Sequence, residues 1–488
     1  MALCMRLSLA IPLTFTLTLA LPAAGVFGQT LPDGKVQLVS DQTIQLQRKL
    51  TSTHQLRNGI PVIVRESPGS DIMEVAVTFG TGLKDLPPGR KALNQWLWSV
   101  LPMAAAGYPK AAVFTTSEQY GLEIGCTGGI EYSMCALGSI NDYWSKALPL
   151  FAALITKPLI TAEDTQLTKD RLIASLIDIP SDPGTYVNEI VNQIFYPAGH
   201  PYRLNHDEAL KELQHLGRND LLAYQKSAVN AASMGIVVVT SMPAAKVVAD
   251  LNKAFGDIKK EPRTSVSALA PVYEASHAYK FEDRALPTAY IRIKLNAPSV
   301  HDKDSVAMRL VYEMLSEELG EEIRTKRSLS YAVHAYVIEY SLGIGVISAS
   351  TSKPKETLAA IGDVLRSFRA KTYSDEELEE YKHGFATSYY LSQETHSSLA
   401  STLANAWYFY GDANRYYDLP RLLDKVTPAD VKRLANSWLN DLRVGAIYGR
   451  NDFKDEWALD LIKQNRKGAP AESAPALEAK PEVSGAED

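Results

Sequence analysis

Apolar and polar positions along the chain fall into two successive series of elements. In the first half, residues 120–125 and 132–140 alternate with a period of two, the spacing of paired strands that bury one face. Residues 144–155 then take helical spacing, and Thr161-Ala162-Glu163-Asp164 supplies a hydroxyl cap and first-turn acids, so a second helix is predicted to open there. Residues 219–226 read as a helix leading into a strand at 234–240. In the second half, residues 330–340 and 343–350 alternate, residues 357–368 are helical, and Ser374-Asp375-Glu376-Glu377 opens the next helix. Residues 428–439 lead into a strand at 443–448. The offset between the halves stays at about 210 residues from element to element, the mark of a duplicated unit. Each unit is a run of strands followed by helices, which makes the class α+β.

The predicted organisation is an extended segment at 29–51, a first domain at 52–261, a linker at 262–274 and a second domain at 275–466. Residues 467–488 are rich in Ala, Pro and Glu and cannot build a core, so they read as a disordered tail. At the other end, Arg6 precedes an apolar run over 7–21, then Pro22 and small residues up to Gly28. That is the pattern of a secretory signal at 1–28, too short for a membrane span, and it predicts a periplasmic or secreted protein with no membrane anchor. Of the three cysteines, Cys4 leaves with the signal. Cys126 and Cys135 flank Thr127-Gly128-Gly129, which reads as a hairpin turn, and two readings stay open: a disulfide across the hairpin, or two small buried thiols. The chain carries 50 Lys and Arg against 56 Asp and Glu, net −6, with no dense basic cluster, so no nucleic-acid partner is expected.

Several stretches resemble the pitrilysin/insulinase (M16) metallopeptidase family, in its two-domain bacterial form. Leu56-Arg57-Asn58-Gly59-Ile60-Pro61-Val62 resembles the family's opening hairpin. Gly80-Thr81-Gly82-Leu83-Lys84-Asp85 and Pro87-Pro88-Gly89 resemble the loop before its zinc helix. His200-Pro201-Tyr202 resembles its His-Pro-Tyr turn, and the run from Ile323 to Tyr331 resembles its second-half motif of an Arg and a Tyr with six residues between. The resemblance covers about residues 50–450 in order. It implies two homologous lobes, each a mostly antiparallel sheet with helices packed on it.

The family's chemistry needs His-x-x-Glu-His on a helix: two imidazoles four apart grip zinc and the Glu accepts a proton from its water. Here the register set by Pro87-Pro88-Gly89 puts Asn94, Leu97 and Trp98 at those places, and no His lies between His54 and His200. The family's further Glu ligand would fall at 175–177, where no carboxylate stands; Asp178 is adjacent. No metal is expected on this chain. Leu93, Trp96, Leu97, Val100 and Leu101 form an apolar face, so the former site is either filled with core side chains or offers the Trp96 and Trp98 rings to a peptide side chain. His200 and His206 are the nearest His pair in sequence, and their loop placement argues against a metal site.

The resemblance implies that Arg324 and Tyr331 bind substrate, the guanidinium through peptide carbonyls and the hydroxyl through a developing oxyanion. The bland reading is that Arg324 pairs with Glu321 on a wet surface and Tyr331 begins a strand. Two positions depart from the family: Ser328 stands where it has a small Gly, and Ser316-Glu317-Glu318-Leu319-Gly320 replaces its Gly-rich stretch. Two-domain members pair as clams around a peptide chamber, and some bacterial pairs divide zinc and Arg/Tyr between two chains. The expectation is a non-catalytic, peptide-binding subunit whose partner bears the zinc. A scaffold protein without peptidase involvement and a stand-alone peptidase with an atypical site are the alternatives.

Overall fold

The computed structural model describes residues 38–262, 279–449 and 454–466. The expected signal at 1–28, nearly all of the linker at 262–274 and the tail at 467–488 lie outside the described residues. Helix α1 is Asp41–Lys49. The first lobe then supplies strands β1 (Thr51–Gln55), β2 (Pro61–Glu66), β3 (Ile72–Phe79), β4 (Glu123–Gly128), β5 (Ser133–Ile140) and β6 (Met234–Thr240). Its helices are α2 (Ala92–Val100), α3 (Lys110–Tyr120), α4 (Trp144–Thr156), α5 (Ala162–Asp178), α6 (Pro183–Phe195), α7 (His206–His215), α8 (Arg218–Ala228) and α9 (Ala244–Phe255). The second lobe has strands β7 (Tyr279–Asp283), β8 (Ala289–Ala297), β9 (Ala332–Ile338), β10 (Gly343–Thr351) and β11 (Arg443–Tyr448). Its helices are α10 (Ser305–Leu319), α11 (Pro354–Ala370), α12 (Asp375–Leu391), α13 (His396–Tyr410), α14 (Leu419–Asp424), α15 (Pro428–Trp438) and α16 (Asp455–Arg466).

The sheets run β1-β2-β6-β3-β5-β4 and β7-β11-β8-β10-β9. With β1, which has no counterpart, set aside, replacing β2, β6, β3, β5 and β4 by β7, β11, β8, β10 and β9 turns the first order into the second. Even the single parallel pair is repeated, β2 beside β6 and β7 beside β11, all other pairs being antiparallel. The duplicated α+β architecture read from the spacing is therefore the architecture of the fold. Among the described residues no helix is long and apolar enough to cross a membrane.

The lobes are interlocked by an exchange of helices. Helix α6 of the first lobe lies over β7, β11 and β8 of the second, and α13 of the second lies over β3 and β6 of the first. Strand β6 is buried along its whole length, which is why Ile236 to Val239 is a continuous apolar run rather than an alternation. Close approach is bought with glycine: a Cβ on Gly235 would stand 2.5 Å from the Trp407 Nε1 of α13, and one on Gly445 of β11 would stand 2.9 Å from the Val191 Cβ of α6. Ile63, Ala76, Val237 and Val239 of the first sheet accordingly belong to the same apolar cluster as the second lobe's core.

Four expectations need correction. The segment 29–51 is not extended over its described part: α1 is capped by Ser40, whose Oγ accepts from Thr43 N at 3.1 Å, and buries Ile44. Arg48 and Asp41 tie α1 to Asp418 and Arg421 of the second lobe at 2.6 and 2.5 Å, long-range contacts that local polarity does not announce. The strand expected at 120–125 begins at Glu123, because α3 runs on to Tyr120 and ends on the left-handed Gly121. The hairpin turn lies at 129–132, with Thr127 and Gly128 still in β4. The strand expected from Ser330 starts at Ala332, so Tyr331 precedes it.

An ionisable group of β3, Glu74, lies beneath α13. Glu74 of β3 is buried opposite Gly138, and burial pushes its carboxyl up from 4.5 to about 7, a Ser397 hydrogen bond opposing and Glu123 reinforcing the shift. Its folded-state pKa lies above the unfolded one, so its contribution to stability is complete below pH 4.5 and is lost as pH rises through 7. Denaturation of Glu74→Gln across pH 4–8 should show the variant gaining on the parent over that window; parallel profiles would contradict the assignment.

Candidate functional site

Helix α2 begins where Pro87-Pro88-Gly89 turns the chain, Gly89 at φ +85°. Its start is held from outside: Glu212 of α7 accepts from Gly89 N at 2.9 Å and Ala92 N at 2.7 Å, so both carboxylate oxygens serve orphan amides of a helix N-terminus. Lys91, its pKa lowered by burial, donates to the carbonyls of His200 and Arg203, each at 2.7 Å. The Pro-Pro-Gly and His-Pro-Tyr segments therefore meet at one helix end.

Asn94, Leu97 and Trp98 all lie on α2, and all three are buried. The Asn94 Oδ1 accepts from Tyr224 OH at 3.0 Å, Ser133 Oγ at 3.2 Å and Trp98 Nε1 at 3.2 Å, while Nδ2 donates to Gly129 O at 2.8 Å. Three donors saturate an amide oxygen and leave it no lone pair for a metal. Trp98 packs on Phe79 with ring centroids 4.6 Å apart, and Trp96 donates to Thr168 Oγ1 of α5 at 3.1 Å. The rings are core, not an open clamp. Residues 175–177 occupy the last turn of α5, where Ser175 donates to the Leu172 carbonyl at 2.8 Å and Ile177 is exposed. One saturated amide, one aliphatic and one indole do not fit a zinc ion. Among the described residues no group of three or more His, Cys, Asp or Glu converges as a metal cluster would. His206 starts α7 and pairs with Glu189. His200 sits apart from it in the His-Pro-Tyr turn, stacked on Tyr196 with centroids 4.7 Å apart, and burial with nearby Lys91 pushes its pKa down to about 4.

Beside α2 remains a cavity of about 400 Å³, lined among others by Asn94, Gln95, Trp98, Cys126 and Ile130. Its far wall is β4, the edge strand of the first sheet, whose residues alternate between exposed and half-buried. Cys126 and Cys135 are directly opposed in register and joined by a disulfide, which staples this edge to β5. A Cβ on Gly128 would fall 2.8 Å from the Trp98 ring, so the edge backbone lies close against α2.

The turn at 129–132 is a knot that sequence reasoning missed. Glu131 is almost fully buried, and its Oε1 accepts from Tyr202 OH and, at 2.8 Å, from Ser341 N of the second lobe. Lys84 approaches Oε2 at 3.6 Å, and Tyr408 of α13 donates to the Glu131 carbonyl at 2.8 Å. The one signal available was a lone Glu inside an apolar hairpin.

Arg324 and Tyr331 lie elsewhere. Ser316 to Leu319 lie in the last turn of α10, which runs on into a wider π-helical turn, Gly320–Lys326. Arg324 lines a cavity of about 1030 Å³ with Glu313, Glu317, Glu321, Asp363 and His334. Glu321 and Glu322 contact Lys326, Glu322 also pairs with Arg327, and among the described residues no carboxylate pairs with Arg324. Tyr331 is 91% exposed. Ser328 between them stands at φ +49°, the left-handed region where a glycine is at ease. The Arg324 cavity and the Asn94 cavity share no residue, so one chain does not bring the two sites together.

The description of the peptidase M16 inactive domain matches residues 215–385. The chain resembles the M16 peptidases. Over 265 residues it is 21% identical to a probable mitochondrial-processing peptidase subunit beta of Arabidopsis thaliana, covering 50% of each chain. It thus spans about half the length of that relative. The fold is that of a peptidase M16 inactive domain from Pseudomonas fluorescens, with TM-score 0.75 and 19% identity over 83% of this chain and 99% of that one. The periplasmic protease PqqL from Escherichia coli gives TM-score 0.69 and 18% identity over 82% of this chain and 46% of that one. The matched model is the inactive domain, in agreement with a non-catalytic M16-like subunit.

Two substitutions test this M16-like site. Asn94→Ala should cost roughly 3 kcal/mol in chemical denaturation, because three buried donors, on α8, β5 and α2 itself, lose an acceptor; a loss under about 1 kcal/mol would mean that the hub is dispensable. Ser328→Gly should raise stability by about 0.5–1 kcal/mol, relief of left-handed strain outweighing glycine's entropy; a fall would show that the Ser side chain holds the turn.

Proposed function

We propose that this chain is the non-catalytic, substrate-binding subunit of an exported, heterodimeric zinc metallopeptidase of the pitrilysin type. The observation that carries the reading is the saturated Asn94 oxygen: the helix that would hold zinc is locked into the core, while the edge strand beside it stays open. An open edge offers a row of amides and carbonyls to an extended peptide, and the cavity beside α2 gives room for a side chain. Arg324 without a carboxylate partner and the exposed Tyr331 hydroxyl support a second contact, in which the guanidinium binds peptide carbonyls and the phenol donates to the oxyanion. The two sites being separate cavities supports a paired assembly, in which Arg324 and Tyr331 serve a peptide lying at the partner's zinc. In this reading the partner is a zinc-bearing M16-type chain of similar size, zinc is bound there and not here, and both proteins work in the periplasm.

Arg324→Ala combined with Tyr331→Phe should lower peptide hydrolysis by the reconstituted pair on the order of a hundredfold while leaving association intact. Unchanged hydrolysis would remove the pair's assigned role. Failure of the parent chain to associate with a zinc-bearing partner, or to raise its hydrolysis, would remove the subunit reading altogether.

A further inference from the structure

Two cations of the second lobe, Lys294 and Arg292, have no carboxylate partner among the described residues. Arg292 and Lys294 are alternate residues of β8, so both point to the face over which α6 lies. Lys294 is buried; its Nζ donates to Asn192 Oδ1 at 2.5 Å and stands 5.3 Å from the centroid of the Tyr196 ring. Among the described residues Arg292 donates to the Gly184 carbonyl alone, at 3.4 Å, and its buried Nε has no hydrogen-bond partner. Among the described residues no carboxylate pairs with either cation. Burial holds both below their ordinary pKa, Lys294 at about 7, the direction expected of cations that lack a counter-charge. Buried charges are ordinarily paired, so an orphan of this kind marks a place for a ligand.

The neighbouring strands show where that ligand would lie. Ser348 of β10 stands in register between Arg292 on one side and His334 on the other, and Val346 stands likewise between Lys294 and Tyr336. Helix α6 lies over β7, β11 and β8. On edge strand β9, Ala332, His334 and Tyr336 are exposed. His334 and Tyr336 stack with ring centroids 5.8 Å apart, and His334 also lines the Arg324 cavity. The row from Arg292 through Ser348 to His334 is thus a strip of a guanidinium, a hydroxyl and an imidazole leading from a half-buried Arg, whose Nε is fully covered, to the open edge of the second sheet.

We propose that Arg292, with Ser348 and His334, forms a carboxylate-binding site that receives an acidic group of a bound peptide. The site rests on the peptide-binding reading given above and adds to it the charge that the second lobe selects. The carboxylate is either an acidic side chain or the peptide's C-terminus. A guanidinium takes two oxygens of such a group side by side, and Nε is one of the two donors used in that geometry.

The test is a fluorescence-anisotropy titration of the purified chain with a labelled ten-residue peptide of Ala, Ser and Leu in four forms. Its C-terminus is free or amidated, and its eighth residue is Glu or Gln. At least one of the two forms with a single carboxylate should bind on the order of tenfold more tightly than the amidated Gln form, as should the form that carries both, and which single-carboxylate form does so identifies the carboxylate's source. Arg292→Met should abolish that preference without weakening the neutral form, and should leave thermal stability unchanged or raised, since it removes an uncompensated buried charge. Equal binding of all four forms, or a preference that survives Arg292→Met, overturns the carboxylate site while leaving the peptide-binding reading in place. No binding by any form overturns both.

Discussion

The arrangement of this molecule depends on a buried carboxylate whose Oε1 takes hydrogen bonds from both lobes. Glu131 sits at the tip of the β4–β5 hairpin, accepts from Tyr202 of its own lobe and from the backbone of Ser341 in the other, and has Lys84 at 3.6 Å. A charge inside a protein is tolerable only when donors surround it, so these groups hold one another in place. A hydrogen bond from the Leu342 amide to Tyr202 OH closes the loop at 3.3 Å, and burial beside Glu131 holds that phenol far above its usual pKa. The Gly-Thr-Gly-Leu-Lys-Asp loop, the His-Pro-Tyr turn and the second lobe's β9–β10 turn all end on this carboxylate. Three motifs that look unrelated in sequence are one structural device, which fixes where the edge strand β4 lies relative to α2 and to the second lobe.

The joining of α2 to its neighbours has an equally simple physical form. A zinc ion ties together a helix and its neighbours through bonds to side chains. Here one amide does the tying: Asn94 joins α2 to the hairpin through Gly129 and Ser133 and to α8 through Tyr224. The indole of Trp98 fills space against Phe79 and the Gly128 backbone. Polar cross-links of modest individual worth, each fully satisfied, supply local order without a Lewis acid.

The repeated fold was legible because it is written in periodicities, and the offset of about 210 residues survives in every matched strand and most helices. The apolar run of β6 and the alternation of β4 state directly which strand is covered on both faces and which stands at the edge. Local chemistry was legible where it is local: Ser374 and Thr161 cap their helices as read. What escaped depended on partners hundreds of residues away. Helix α1 is pinned by Asp418 and Arg421, Glu131 by Ser341, and Asn94 by Tyr224; none of these pairings leaves a trace in spacing. The exchange of α6 and α13 between lobes was invisible for the same reason, although Gly235 and Gly445 are the marks it leaves.

The lobes share a topology, yet the sheet faces that meet the exchanged helices differ in kind. In the first lobe that face carries Glu74, Ala76, Gly138 and Glu123, small residues and acids. In the second it carries Arg292, Lys294, Ser348 and His334. Opposite charge on equivalent surfaces cannot come from the fold, which is the same, nor from a need to hold the lobes together, since buried like charges oppose docking. Apolar contacts of α6 and α13 do the holding, and the polar positions between them are free to differ from one lobe to the other.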